Sequence, residues 1–214
     1  MRTIAFIGAG SAKFVRGAIA DLLSYPELHD SRLRLMDIDP IRLDRAARLA
    51  RKMVTDCKAP MTVEATTDRR RALDGASYVI VTLMVGGMRQ YASDGEIPAR
   101  HGVFQAVGDT SGPGAIFRLV RTAPVLEGIV NDLRSLAPHA WVLNYANPMA
   151  MLTGALVAFG HRRSVGLCHS VYSCINTIGA WLGIPPYEID YTAAGLNHIN
   201  FYLTLRHKGH DLYP

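Results

Sequence analysis

The sequence has few cysteines and no long apolar segment, and each of these features excludes a class of protein. Its three cysteines are an odd number in a chain of 214 residues, which argues against a disulfide framework and for a reducing compartment. The longest apolar stretch, 149–160, is too short to cross a bilayer. An apolar run of only four residues, 4–7, precedes the first glycine, so we expect no signal peptide. We therefore expect a cytoplasmic protein without a membrane partner.

The charge pattern does not indicate a nucleic-acid partner. The net charge of +5 comes from scattered basic residues, and the one tight cluster, Arg69–Arg71, has no interleaved aromatic residues. We interpret this cluster as a solvated helix face. The hydrophobic fraction of 49% is sufficient for a sizeable core and argues against disorder. The length fits one large domain or one and a half.

The first strand and turn predict a dinucleotide site. Ile4–Ile7 is a short apolar run, typical of a strand buried on both faces, and a helix with one apolar stripe is predicted for residues 15–23. Between them lie Gly8, Gly10 and Ser11. A strand, a glycine turn and a helix in this order bring backbone N–H groups and the positive end of a helix dipole to one point, which favours a pyrophosphate.

Asp37 and a second glycine turn extend this prediction. Asp37 ends the second predicted strand, where a carboxylate could accept hydrogen bonds from an adenosine ribose. The match to the usual fingerprint is imperfect, because Lys13 replaces the third glycine and Asp37 lies further along the chain than usual. An ordinary strand-to-helix turn explains these residues as well. Gly86 and Gly87 follow the fourth predicted strand and could bring the backbone close to a cofactor, or could simply meet the need of a turn for positive φ.

The predicted elements alternate between strand and helix as far as residue 170, which indicates an α/β fold with a doubly wound parallel sheet. Strands are predicted at 4–7, 33–36, 61–65, 78–82, 141–143 and 165–167. Residues 89–114 are polar and rich in turn residues, and they predict a long irregular loop. Pro124 should kink or divide the helix that follows.

Residues 171–214 indicate the beginning of a second, α+β domain. Ile199, Phe201, Leu203 and Leu205 alternate with polar residues, which predicts an antiparallel strand with these four side chains on its buried face. No returning strand is predicted to pair with it. Because an unpaired strand edge promotes aggregation, we expect the chain to be part of a longer protein or to be completed by a partner.

Cys168 and His198 are candidate metal ligands. A thiolate at the end of a strand and an imidazole from a turn could jointly bind a divalent ion. Their separation of thirty residues in the sequence does not establish their distance in space. A buried structural cysteine and a turn histidine explain the two residues as well.

Six stretches match the motifs of one enzyme family, in the order in which the family has them. They are Phe6–Ser11, Leu35–Pro40, Asp109–Gly114, Asn144–Ala150, Gly166–Val171 and Ala194–His198. Through them the chain resembles glycoside hydrolase family 4, the NAD-dependent glycosidases, and within it the α-galactosidase branch. The resemblance implies that residues 1–170 form a Rossmann-like, lactate/malate dehydrogenase-like NAD-binding domain. It also implies that the chain covers about the N-terminal half of a family member.

The implied chemistry differs from that of glycosidases with two catalytic carboxylates. NAD would take a hydride from sugar C3, and a divalent metal ion, commonly manganese, would acidify the C2 proton before elimination, water addition and return of the hydride. By this resemblance Gly8, Gly10, Ser11 and Asp37 would hold NAD. The catalytic base would be a tyrosine outside this chain. The implied partner is a small sugar substrate, and a homo-oligomer, dimer or tetramer, is expected.

The resemblance also implies roles around the metal ion. Cys168 and His198 would be its protein ligands, and Asn147 would contact the sugar hydroxyls near the nicotinamide. His169 stands where some α-glycosidases of the family have a proposed acid, so it could protonate the leaving oxygen or simply hydrogen-bond the substrate. A hexuronic acid or a 6-phospho-glycoside is an alternative substrate. A lactate/malate-type dehydrogenase or a non-catalytic nucleotide-binding domain is an alternative function.

Overall fold

The structure, a computed structural model, describes residues 1–105 and 110–214, and of Ala12 and Lys13 it describes the backbone alone. Asp109, the first residue of one predicted motif, lies outside the described residues. The chain divides into two compact units between residues 166 and 167.

The first unit, Met1–Gly166, is built on a sheet of six parallel strands. The strands are β1 (Thr3–Ile7), β2 (Arg32–Met36), β3 (Thr62–Thr66), β4 (Tyr78–Val81), β5 (Trp141–Asn144) and β6 (Ser164–Gly166). Their order across the sheet is β3-β2-β1-β4-β5-β6, the order of doubly wound dinucleotide-binding folds. The predicted α/β fold with a doubly wound parallel sheet is therefore confirmed, and every predicted strand end lies within one residue of its observed position.

Helices cover both faces of this sheet. They are α1 (Ala12–Leu23), α2 (Pro40–Asp56), α3 (Arg69–Leu73), α4 (Gly87–Arg100), α5 (Pro113–Leu136) and α6 (Met149–Ala158). One core joins Phe6 and Leu33 to α1 and α2, and the other joins Ala5 and Val79 to α3, α5 and α6. Neighbouring residues of a strand point to opposite faces, so β1, β2, β4 and β5 each supply both cores. No described helix is long and apolar enough to cross a membrane.

Helix α4 occupies much of the segment 89–114, so the prediction of an irregular loop is wrong there. The helix lacks an apolar stripe because its buried side includes a carboxylate, Asp94, which is paired with Arg118 and Arg121 of α5. Helix α5 is a single element and is not divided at Pro124. Its packing along the sheet outweighs the one helical hydrogen bond that the proline removes.

The second unit, Leu167–Pro214, contains one α-helix, a short 3-10 helix (Pro186–Glu188) and a three-stranded antiparallel sheet. Its elements are α7 (Ser170–Leu182), β7 (Ile189–Leu196), β8 (Ile199–His207) and β9 (His210–Asp211). Strand β8 pairs with β7 on one side and with β9 on the other, so the prediction that it lacks a partner is wrong. The sequence pattern missed β7 because most of its residues are exposed. The functional division of the chain at residue 170 stays a prediction.

A β-bulge divides the predicted apolar face of β8. The pairing register with β7 skips Leu203, and an extra residue shifts the alternation of side chains by one position. Phe201 and Leu203 are 70% and 62% exposed, whereas Leu205 is buried. Leu205 packs in the same small core as Tyr202. The prediction that all four alternating residues share a buried face is therefore wrong.

Candidate active site

The first glycine turn favours glycine at position 8 through its backbone conformation and through the lack of room for a side chain. Gly8 has a φ of +93°, and a Cβ atom there would lie 2.7 Å from the backbone nitrogen of Leu83. The amides of Gly8 and Ala9 both donate to the carbonyl of Met36, at 3.0 and 2.9 Å. These bonds tie the end of β1 to the end of β2, so the sheet itself positions the turn.

Asp37 is bonded to the same turn. Its Oδ2 atom accepts a hydrogen bond from the amide of Gly10 at 2.7 Å, and its Oδ1 atom accepts one from the amide of Asp39 at 2.9 Å. Because these turn amides are engaged within the protein, the donors that could meet a pyrophosphate are those of the first turn of α1, after Ser11. The structure thus brings Gly8, Gly10, Ser11 and Asp37 to one edge of the sheet. Their role in binding a cofactor stays a prediction.

Gly86 belongs to the same edge, because β4 is the neighbour of β1. It has a φ of +82°, and a Cβ atom there would lie 2.7 Å from Cβ of Gln90 and 3.3 Å from Cδ of Arg121. The hydroxyl of Thr82 donates to the carbonyl of Gly8 at 2.9 Å and joins the two glycine turns. Glycine is therefore required at position 86 by both conformation and space.

A buried ion cluster lies beside this turn, and sequence reasoning missed it. Asp94 is 2% exposed and pairs with Arg121 and, at 3.3 Å, with Nε of Arg118. The guanidinium of Arg118 lies over the ring of Tyr91, 4.5 Å from its centroid. The only available sequence signal was the pair of arginines three residues apart on one helix face.

Asn147 lies in the turn between β5 and α6. It is half-buried, and its Oδ1 atom accepts a hydrogen bond from the amide of Met149 at 3.2 Å. Asn144, which sequence reasoning left out of the site, is fully buried at the end of β5. Burial and, to a smaller extent, the negative charge of Asp21 raise the pKa of Tyr145. This phenol therefore stays protonated at neutral pH and is a poor candidate for a catalytic base.

Cys168 and His198 are brought together within the second unit. The Sγ atom of Cys168 lies 3.2 Å from Nε2 of His198. The amide of Ser170, the first residue of α7, donates to the same sulfur at 3.4 Å. His198 stands in the two-residue loop between β7 and β8 with a φ of +59°, a conformation that residues other than glycine adopt mainly at constrained positions.

The two side chains are close enough to bind one metal ion. Sulfur at about 2.3 Å and nitrogen at about 2.1 Å from a tetrahedral ion would lie roughly 3.6 Å apart, whereas the observed 3.2 Å is a direct hydrogen-bond contact between the two side chains, so they would move apart slightly to bind an ion. The described residues contain no group of three or more histidine, cysteine, aspartate and glutamate side chains that could hold a metal. Further ligands would have to come from the substrate, water or other residues. His169 is exposed and precedes the first turn of α7, and its role stays a prediction.

The sequence pattern of one protein family extends over most of the chain. The profile of the family 4 glycosyl hydrolases matches residues 3–184. The chain belongs to this family. An α-galactosidase of Bacillus subtilis (strain 168) is 40% identical over 215 residues, covering 100% of this chain and 50% of the relative. An α-galactosidase of Rhizobium meliloti (strain 1021) is 42% identical over 207 residues, covering 96% of this chain and 42% of the relative.

The fold also agrees with family 4. The structure of a 6-phospho-beta glucosidase from Thermotoga maritima, with manganese, NAD+ and glucose-6-phosphate, matches with a TM-score of 0.86 and 24% identity, over 99% of this chain and 50% of that chain. At this identity the likeness shows the fold. The predicted membership of family 4 is confirmed. The chain spans about half the length of the curated relatives it matches.

Proposed function

We propose that the protein is a family 4 α-galactosidase that depends on NAD and a divalent metal ion, with manganese as the metal. The distance of 3.2 Å between Cys168 Sγ and His198 Nε2 carries the proposal, because it joins the two residues that the family resemblance assigns to one ion. The two α-galactosidases at 40% and 42% identity support the sugar. The manganese and NAD+ of the Thermotoga maritima enzyme support the cofactors.

Asp37 and the glycine turn would bind the adenosine half of NAD. The first turn of α1 offers backbone donors to the pyrophosphate. The hydrogen bond from the Gly10 amide fixes the carboxylate of Asp37, and each carboxylate oxygen has a second lone pair for a ribose hydroxyl. A negative charge at this position disfavours the 2′-phosphate of NADP. These features support NAD as the cofactor.

The side chains of the second unit would act on the sugar. When bound, NAD would supply a hydride acceptor and the metal ion a Lewis acid. Cys168 and His198 would hold the ion, and His169 would protonate the leaving oxygen or hydrogen-bond the substrate. By the family resemblance, Asn147 would hydrogen-bond the sugar hydroxyls. A thiolate ligand is unusual for a hard ion such as manganese. Because a thiolate is readily oxidised, activity should be sensitive to oxidation of Cys168.

A substrate panel tests the proposal. The full-length protein, kept reduced with NAD and manganese present, should cleave p-nitrophenyl α-galactoside at least about tenfold more efficiently than the matched α-galacturonide or 6-phospho-α-glucoside. Chelation should abolish cleavage and manganese should restore it. A preference for either other sugar would replace the proposed substrate within the family. Oxidation of a 2-hydroxy acid without any glycoside cleavage would instead favour a dehydrogenase. NAD binding without any turnover would favour a non-catalytic nucleotide-binding domain.

The predicted homo-oligomer and cytoplasmic location stay predictions.

A further inference from the structure

Asn144 is a fully buried polar residue. It lies at the end of β5, where it pairs with Val81 of β4 and Gly166 of β6. Burying an amide side chain costs free energy unless its donors and acceptors are used. The contacts of Asn144 therefore indicate what the residue does.

The side chain of Asn144 is fully used in holding the turn that follows it. Its Nδ2 atom lies 3.3 Å from the carbonyls of Ala146 and Met149 and 3.1 Å from Oγ1 of Thr153, and its two N–H donors are shared among these three acceptors. Its Oδ1 atom accepts a hydrogen bond from the amide of Ala146 at 3.1 Å. The hydroxyl of Thr153 in turn donates to the carbonyl of Met149 at 2.7 Å. An apolar side chain at position 144 would remove the hydrogen bonds that Asn144 makes with the amide and carbonyl of Ala146 and with the carbonyl of Met149, and losing the bonds of buried groups is costlier than losing one exposed hydrogen bond.

Gly166 leaves space beside the hydrogen-bond network of Asn144 and Thr153, and this network extends to Asn147. A Cβ atom at Gly166 would clash with the side chain of Met149 and would lie 2.6 Å from Oγ1 of Thr153, so the glycine at the end of β6 leaves room for both side chains. Met149, whose carbonyl is held by Asn144 and Thr153, donates its amide to Oδ1 of Asn147 at 3.2 Å. The bonds therefore run continuously from the buried end of β5 to the side chain of Asn147.

We propose that Asn144 and Thr153 are positioning residues that fix the side chain of Asn147 for contact with the sugar. The proposal rests on the proposed function, which assigns Asn147 to the sugar hydroxyls. Neither Asn144 nor Thr153 needs to touch the substrate. Small displacements of a group that orients a substrate reduce the rate strongly, so loosening this network should impair sugar turnover more than cofactor binding.

Substitutions of Thr153 in the full-length enzyme test the proposal. Thr153→Val keeps the shape and removes the hydroxyl, and it should lower kcat/KM for the α-galactoside about tenfold, equivalent to about 1.4 kcal/mol, with NAD affinity within about threefold. Thr153→Ser keeps the hydroxyl and should recover most of the loss. Thr177→Val is the matched control, because Thr177 makes the same bond to the carbonyl four residues back, Ser173, at an exposed position of α7. Wild-type kcat/KM in Thr153→Val, or an equal loss of NAD affinity, would overturn the proposal.

A readout independent of activity separates this proposal from the proposed function. The side-chain amide signals of Asn147, observed by NMR after 15N-asparagine labelling, should shift or broaden in Thr153→Val and in Asn144→Asp, which cannot donate to the carbonyls. Unchanged signals in folded variants would overturn the positioning role, whichever sugar is cleaved. Changed signals in a protein that does not cleave α-galactosides would support the positioning role and reject the proposed substrate.

Discussion

The sulfur of Cys168 lies 3.2 Å from Nε2 of His198, although thirty residues separate them in the sequence. The two residues meet because α7 packs against the β7–β8 hairpin. The hydroxyl of Tyr202 in β8 donates to the carbonyl of Val171 in α7 at 2.7 Å and stabilises this packing. Burial, reinforced by the nearby Cys174, raises the pKa of Tyr202 and keeps this phenol a donor. The candidate metal pair is therefore assembled within the second unit.

Replacement of the sulfur tests the metal assignment. Cys168→Ser should abolish metal-dependent cleavage in the full-length protein, because a neutral hydroxyl is a much weaker ligand than a thiolate. The NAD dissociation constant, measured by calorimetry, should change by less than about threefold, or roughly 0.7 kcal/mol. Cys174→Ser, at an exposed cysteine of α7, is the control and should keep activity. A collapse of NAD binding in Cys168→Ser would mean that Cys168 is structural.

Two glycine substitutions compare the cofactor turn with the helix beside it. Gly10→Ala places a methyl group 2.6 Å from Oδ2 of Asp37, so it should displace the carboxylate and weaken NAD binding at least about tenfold. Gly17→Ala in α1 meets no atom within 4 Å, so it should raise the free energy of unfolding by about 0.5–1 kcal/mol and leave NAD affinity unchanged. Calorimetry and thermal unfolding measure both effects. Equal NAD affinity in the two variants would contradict the placement of the cofactor.

Asp132 anchors α3 to α5. Its carboxylate accepts from Nη2 of Arg69 at 2.7 Å and from Nη1 of Arg70 at 2.6 Å, and its side chain is only 10% exposed. The sequence predicted that these arginines form a solvated helix face. Arg69 and Arg70 instead pair with a nearly buried carboxylate, so they do not serve solvation alone. Asp132→Ala should lower the free energy of unfolding by about 1–3 kcal/mol, measured by urea titration. The control Asp56→Ala, which breaks an exposed pair with Lys52, should cost less than about 1 kcal/mol, and equal losses would contradict the anchoring role.

Glu188 should stabilise the second unit at neutral pH, and this stabilisation should be lost in acid. A hydrogen bond with His207 and, next, one with Lys208 lower the pKa of Glu188 from its ordinary value of 4.5. A lowered pKa in the folded state stabilises above the ordinary value, and this contribution is lost as the pH falls through the folded-state pKa. Glu188→Gln should therefore be less stable than wild type at neutral pH, and the difference should begin to shrink as the pH falls below 4.5 and disappear once the pH is below the lowered pKa of the folded state. Urea unfolding across this range measures it, and a difference that is constant with pH would contradict the cause.

Local sequence patterns were sufficient for the sheet and the glycine turns. A buried strand needs an apolar run, and the turn at Gly8 needs a residue that tolerates a φ of +93°. Both requirements act within a few neighbouring residues. The predicted strands and the first glycine turn could therefore be located before any long-range contact was known.

The features that sequence reasoning missed depend on distant partners. The buried side of α4 is stabilised by ion pairs from Asp94 to arginines 24 and 27 residues away, and the bulge at Leu203 becomes visible only when β7 and β8 pair. The distance from Cys168 to His198 likewise depends on how a helix and a hairpin pack. In each case the deciding interaction joins segments whose pairing no local pattern specifies.

Deuterium substitution of the sugar tests the central claim most directly. The full-length protein, reduced and supplied with NAD and manganese, should cleave p-nitrophenyl α-galactoside only when both additives are present. Deuterium at C2 or at C3 should lower kcat/KM, because the proposed function requires both C–H bonds to break before the leaving group departs. Cleavage that is indifferent to NAD and unchanged by deuterium at either carbon would contradict the account.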